Sequence, residues 1–255
     1  MTRVGFFTDS SICIGCKACE VACKEWNLVP EDGLAFLANS YDNSGGLGAD
    51  TWRHVAFVEQ RTADGVRWLM NSDVCKHCAR AACLEVCPTG ALFRTEYGTV
   101  VVQEDVCNGC GYCVPACPFG VIDRRQGDGR AFKCTLCYDR LGLDLLPACA
   151  KACPTGSISF GPLDEMEAKA RGRLDRLRGE GVGEARLYGT TDAGGEGVGG
   201  TGSIFLLLDR PEVYGLPSQP VTPARELASA WGAAAVAAGA LVLGVVAAVL
   251  GGRRR

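Results

Sequence analysis

After Pro162 the apolar residues recur at three- and four-residue intervals: Leu163, Met166, Ala170, Leu174 and Leu177. This period predicts an amphipathic surface helix. Asp164 and Glu165 open it and Arg173, Arg176 and Arg178 close it, as the helix dipole favours. Upstream, "ALFRTEYGTVVVQED" predicts two short strands around Tyr97-Gly98, and downstream "SIFLLLD" predicts another strand. Between helix and strand, "GEGVGEARLYGTTDAGGEGVGGTG" reads as a flexible glycine-rich loop. Pro211, Pro217, Pro220 and Pro223 make the following segment extended and helix-averse. Leu227 to Gly252 then carries no charge. A membrane span takes roughly 20 apolar residues, so a single transmembrane helix is expected here. Trp231 stands where an interfacial aromatic belongs, and Ala240, Gly244 and Ala248 form a small-xxx-small face suited to a partner helix. Arg253, Arg254 and Arg255 follow the span, against Arg210 and Arg225 before it. That bias predicts a single-pass cell-membrane protein with its tail in the cytoplasm and its bulk on the extracytoplasmic face.

The 255 residues suffice for one large or two small domains, and a net charge of −3 gives no reason to expect a nucleic-acid partner. Cysteine changes the picture. All 16 cysteines lie between Cys13 and Cys153, a density that means a disulfide scaffold or metal. The opening "MTRVGFFTDSSIC" lacks the apolar stretch of a signal peptide, which argues against a secreted disulfide protein and for metal.

The cysteines form four runs: Cys13, Cys16, Cys19, Cys23; Cys75, Cys78, Cys83, Cys87; Cys107, Cys110, Cys113, Cys117; and Cys134, Cys137, Cys149, Cys153. The last three end in "CPTGAL", "CPFGVI" and "CPTGSI", so the runs are internal repeats of one unit. Three thiolates of such a run wrap one 4Fe–4S cluster, and the fourth ligates its neighbour. The interval from third to fourth cysteine is x3 in every run, one helical turn, whereas second to third varies from x2 to x4 to x11. The loop around a cluster varies, and the bridge between clusters does not. Four 4Fe–4S clusters are therefore expected. Structural zinc would use paired C-x2-C knuckles, and a thioredoxin-type site would need one such pair. His54 and His77 are not needed as ligands; His77, inside "VCKHCAR", suits electrostatic tuning or simple packing. Lys17, Lys24, Lys76, Arg80, Lys133 and Lys151 flank the ligands in sequence, either as tuning charges or as solvated surface. A long insertion, Lys24 to Asp73, carries Trp26, Trp52 and Trp68, read as packing residues. The chain has no P-loop, dinucleotide fingerprint or triad signature, so it reads as an electron wire whose chemistry happens in a partner.

Four such runs, the fourth opened by an insertion, resemble the iron–sulfur subunits that serve molybdopterin oxidoreductases. "FFTDSSICIGCKACEVACKEWN", "SYDNSGGLGADTWRHVAF" and "DRPEVYGLPSQP" look like the beta subunit of membrane-bound formate dehydrogenase. The resemblance implies an α+β fold of two ferredoxin-like dicluster modules plus a C-terminal transmembrane helix. Residues 1–23 with 133–160 would form one module and 75–132 the other. Residues 24–74 would be an insertion, 161–210 a helix, glycine-rich loop and strand, 211–226 a proline-rich linker and 227–252 the membrane helix. Spacing leaves the pairing of runs open; the resemblance pairs run two with three and run one with four. It implies one cluster on Cys75, Cys78, Cys83 and Cys117, and its neighbour on Cys107, Cys110, Cys113 and Cys87. The other two would lie on Cys13, Cys16, Cys19 and Cys153, and on Cys134, Cys137, Cys149 and Cys23. Lys24 replaces the usual proline after Cys23, where the proline would end a helix and not bind metal. The implied partners are a molybdenum or tungsten catalytic subunit that oxidises formate and a membrane cytochrome b that reduces quinone. Equivalent subunits of polysulfide, dimethyl sulfoxide or nitrate reductases, or of a membrane hydrogenase, are the alternative.

Overall fold

The computed structural model describes residues 2–33, 42, 44–62 and 65–252. Its organising element is a four-stranded sheet in the order β8-β1-β10-β9. The strands are β1 (Val4–Asp9), β8 (Ile158–Pro162), β9 (Arg186–Tyr188) and β10 (Ser203–Leu207). β1 runs parallel to β10 and antiparallel to β8, with Phe6 opposite Ser203 and Phe160. Alternating side chains of the central strands enter different cores. Phe6, Phe205 and Leu207 face the cysteine-rich core, whereas Phe7, Ile204 and Leu206 face helix α6 (Leu163–Gly179). Burial on both faces leaves β1 and β10 with consecutive apolar residues, Phe6-Phe7 and Ile204 to Leu207, in place of an alternation.

Helix α6 lies where the period predicts it. Met166, Ala170 and Leu177 are buried against the sheet, and its acidic first and basic last turns are those expected. The strands predicted around Tyr97-Gly98 are β4 (Leu92–Arg94) and β5 (Val100–Val102), and "SIFLLLD" contains β10. The insertion forms a hairpin of β2 (Arg53–Thr62) and β3 (Gly65–Val74), with Val55 opposite Ser72 and Phe57 opposite Met70. Its root is buried through Arg53, Val55, Leu69 and Val74, and its far end is exposed. Of the three tryptophans only Trp52 enters the core. Trp26 bonds Asp139 at 2.7 Å under the Arg140 guanidinium, and Trp68 packs edge-on to Phe57. Residues 34–41 and Asn43 of the insertion lie outside the described residues.

Two expectations are corrected here. The glycine-rich stretch is not a loose loop. Ala79 and Arg80 donate backbone bonds to Gly200 and Val198, and Gly202 donates to Lys76, so the stretch is laced onto run two. A side chain at Gly197 would collide with the Pro220 carbonyl, which is why glycine serves there.

The second correction concerns the C-terminus. Helix α7 spans Leu227–Gly252, but among the described residues no helix is long and apolar enough to cross a membrane. More than half of α7 is alanine and glycine, which bring little apolar area per residue. The transmembrane helix is thus not supported, nor are the single-pass membrane location, the extracytoplasmic cluster domain and the cytoplasmic tail derived from it. The fold is α+β without that span. Trp231, Ala240 and Gly244 are exposed, while the Ala248 side chain and Arg253 to Arg255 lie outside the described residues.

Candidate metal centres

Each run folds as a tight loop followed by a single helical turn. The turns are α1 (Ala18–Asn27, longer than the rest), α2 (Ala82–Glu85), α3 (Cys113–Ala116) and α5 (Ala148–Lys151). The residue just before each second cysteine, Gly15, His77, Gly109 and Leu136, has φ between 43° and 72° in all four runs. The left-handed residue curls the C-x2-C loop so that backbone N–H groups turn toward sulfur. The Leu136 N–H reaches Cys134 Sγ at 3.3 Å, and the Ala131 N–H reaches Cys107 Sγ at 3.5 Å. Which residue takes the strained position depends on what lies over it. A Cβ on Gly15 would stand 2.6 Å from the Phe57 ring, and one on Gly109 2.6 Å from the Gly129 carbonyl oxygen. Leu136 instead has a core to fill, being fully buried.

The thiols gather in fours. Burial pushes Cys78 well up, and the neighbouring thiols Cys75, Cys117 and Cys83 push it further. Cys113 is pushed up to about 11 by burial, with Cys107, Cys110 and Cys87 adding to the rise. Burial raises Cys13, with Cys19, Cys153 and Cys16 as its thiol neighbours. Burial raises Cys23 strongly, with Cys134, Cys149 and Cys137 beside it. Three of each four come from one run and the fourth from another, Cys117, Cys87, Cys153 or Cys23.

The sets also touch one another in sequence. Cys19 of the first feels Cys149, Cys134 feels Cys75, and Cys83 feels Cys113. Contacts between runs thus link run one to run four, run four to run two, and run two to run three, while Cys16 and Cys110 are exposed.

Thiols this close and this buried resist ionising together, and a cationic metal core reverses that balance. The fit to a cluster is seen most directly at Cys75, Cys78, Cys83 and Cys117, which line one enclosed cavity whose other walls include Val121, Phe119 and Ile122. Among the described residues no three or more His, Cys, Asp or Glu converge on a single ion.

Of the flanking cations, Lys76 and Lys133 are buried and Arg80 and Lys151 are exposed. Lys17 pairs with Glu20 and Asp42, and Lys24 with Asp32. His77 is buried, accepts the Val100 N–H at 3.1 Å and is driven well below its ordinary pKa by burial, then by Lys133 and Arg3. His54 faces Asp42 at 3.1 Å, away from the thiols. The sequence reading missed Arg53, which is buried beside four thiols of two sets.

Two 4Fe–4S dicluster domain families match the chain, over residues 12–91 and 66–163. A formate dehydrogenase iron–sulfur subunit of Haemophilus influenzae is 43% identical over 83% of this chain and 68% of its own length. The iron–sulfur subunit of the nitrate-inducible formate dehydrogenase of Escherichia coli is 42% identical over 86% of this chain and 74% of its own. The B subunit of an Escherichia coli anaerobic dimethyl sulfoxide reductase is 41% identical, over 66% of this chain and 78% of its own.

Proposed function

We propose that this chain, which belongs to the family of formate dehydrogenase iron–sulfur subunits, holds four 4Fe–4S clusters in line and carries electrons between two partner subunits. It is an electron-transfer subunit without catalysis of its own. Each bound cluster takes up and releases one electron at a time. Cys13, Cys16, Cys19 and Cys153 hold one, Cys134, Cys137, Cys149 and Cys23 the next. Cys75, Cys78, Cys83 and Cys117 hold the third, and Cys107, Cys110, Cys113 and Cys87 the last. Runs one and four make one dicluster module and runs two and three the other. The hairpin from the insertion is rooted in the first module through Cys19 and Ser72, whose side chains lie 3.3 Å apart.

The observation that carries the reading is the unbroken series of close thiols between sets: Cys19 to Cys149, Cys134 to Cys75, Cys83 to Cys113. The chain's residues hold the sets next to one another and shield the middle two from water. Its partners are a molybdenum or tungsten subunit, where formate yields carbon dioxide, one proton and two electrons, and a membrane cytochrome that passes those electrons to quinone. The alternative, service to a dimethyl sulfoxide or similar reductase, is favoured by the match of that enzyme's B subunit, which covers 66% of this chain. The formate reading is supported by matches that extend further along the chain. The test is purification in mild detergent with the co-purifying subunits identified, then low-temperature EPR after adding formate. Reduction of the cluster signals by formate is expected. Signals that respond only to another donor, with no molybdopterin subunit present, would refute the reading.

A further inference from the structure

Arg53 opens the hairpin from the insertion and is 1% exposed, a rare place for a permanent cation. Its Nη1 donates to the Ser72 carbonyl at 3.2 Å and to the Ser72 hydroxyl at 3.1 Å. Its guanidinium stands over the Phe6 ring, 4.8 Å from the centroid. Among the described residues Nε and Nη2 have no hydrogen-bond partner, although both are buried. An arginine with unmet donors in a core is costly unless something else accepts from it. Among the described residues no carboxylate pairs with it. The negative groups around it are the thiols Cys149, Cys19, Cys134 and Cys23, which belong to the run-one and run-four sets.

The neighbouring junction is built differently. Lys133, between Cys134 and the run-two thiols Cys75 and Cys83, is also buried, but its ammonium is engaged by the carbonyls of Val100 and Cys134. Arg53, unlike Lys133, keeps two buried donors in reserve.

We propose that Arg53 is the potential-tuning residue of the junction between the run-one and run-four clusters. Its guanidinium lies among thiols of both sets, and its fixed charge would offset that of an electron resident on either cluster. Burial disfavours adding an electron to a cluster, and a cation with N–H donors at the sulfurs reverses that penalty. Because the charge is shared, one substitution moves two midpoints together and leaves the run-two and run-three clusters where they were. Ser72 holds the guanidinium in place and also touches Cys19 Sγ, at 3.3 Å. This inference rests on the four-cluster reading above.

The experiment is a potentiometric EPR titration of the complex containing Arg53→Met or Arg53→Lys. Signals are assigned with Cys16→Ser and Cys110→Ser, which perturb the two end clusters, together with Cys149→Ser for the run-four cluster. For Arg53→Met the expected result is a fall of ten-fold or more in the one-electron reduction equilibrium of the run-one and run-four clusters, ~59 mV each. Arg53→Lys, which keeps the charge and loses the planar fork, should produce a smaller fall at the same two clusters. Where Arg53→Met does not retain its iron, Arg53→Lys decides alone. A shift confined to these two clusters supports the assignment. No shift, or an equal shift at all four, overturns it. An unmodified complex without four distinct cluster signals would instead sink the functional reading, before any variant is compared.

Discussion

Replacing Leu136 with glycine sets two effects of opposite sign against each other. Leu136 sits at φ 60°, where an L-residue is disfavoured by roughly 1–2 kcal/mol. Glycine removes that strain but brings its own chain-entropy cost of about 0.5–1 kcal/mol, so the backbone gains about 1.5 kcal/mol at most. The side chain weighs more. Leu136 is 0% exposed within the core that holds Cys134 and Cys149. Truncating such a leucine to alanine costs about 2–5 kcal/mol, and glycine leaves a larger hole still. Packing therefore wins, and Leu136→Gly should destabilise the chain by about 2–4 kcal/mol, roughly 30- to 800-fold in the folded ratio. The assay is anaerobic guanidinium unfolding of the iron-loaded protein, following visible absorbance and far-UV circular dichroism. A chelator assay of initial iron release should rise in parallel. A variant as stable as the parent would show that backbone strain outweighs packing at this position, and that the loop is held by something other than the core beneath it.

Cys149→Ser should damage chiefly the cluster held with Cys134, Cys137 and Cys23; loss of the run-two and run-three EPR signals with that one spared would refute the pairing. Gly197→Ala, which forces a methyl against the Pro220 carbonyl, should loosen the glycine-rich segment and speed limited proteolysis within residues 189–202, while unchanged cleavage would count against the packed loop. Asp192 is held down at about 2 by hydrogen bonds from Arg171 and then Thr190. A carboxylate with a depressed folded pKa contributes stability above its unfolded value near 3.9, and that stability is lost as pH falls from about 4 to about 2. In an NMR titration Arg171→Ala should return Asp192 toward the ordinary range, and an unmoved midpoint would discount the pair.

What the amino-acid order makes legible here is whatever depends on local spacing. The x3 interval between third and fourth cysteines is one helical turn, and α2, α3 and α5 are little more than that turn. Helix α6 announces itself because only one of its faces meets the sheet, and β4 and β5 because they flank a tight turn. Strand β1 is silent for the opposite reason. Both of its faces are covered, so Val4–Asp9 shows no alternation to read. The parallel pairing of β1 with β10 spans nearly 200 residues and leaves no local trace. Arg53 is hidden for a related reason: nothing beside it in sequence hints that the hairpin will carry it between two sets of thiols. The glycine-rich stretch misleads because glycine density signals both looseness and close backbone approach, and only the Pro220 and His77 contacts tell which. Helix α7 misleads because a charge-free stretch rich in alanine and glycine brings less apolar area than its length suggests.

The central claim is that sixteen cysteines in four sets hold four cubanes. Iron and acid-labile sulfide on the anaerobically purified chain, with zinc measured on the same sample, test it most directly. About sixteen irons and about sixteen sulfides per chain with negligible zinc are expected. About eight of each, the content of a single dicluster module, or stoichiometric zinc without labile sulfide, would contradict it.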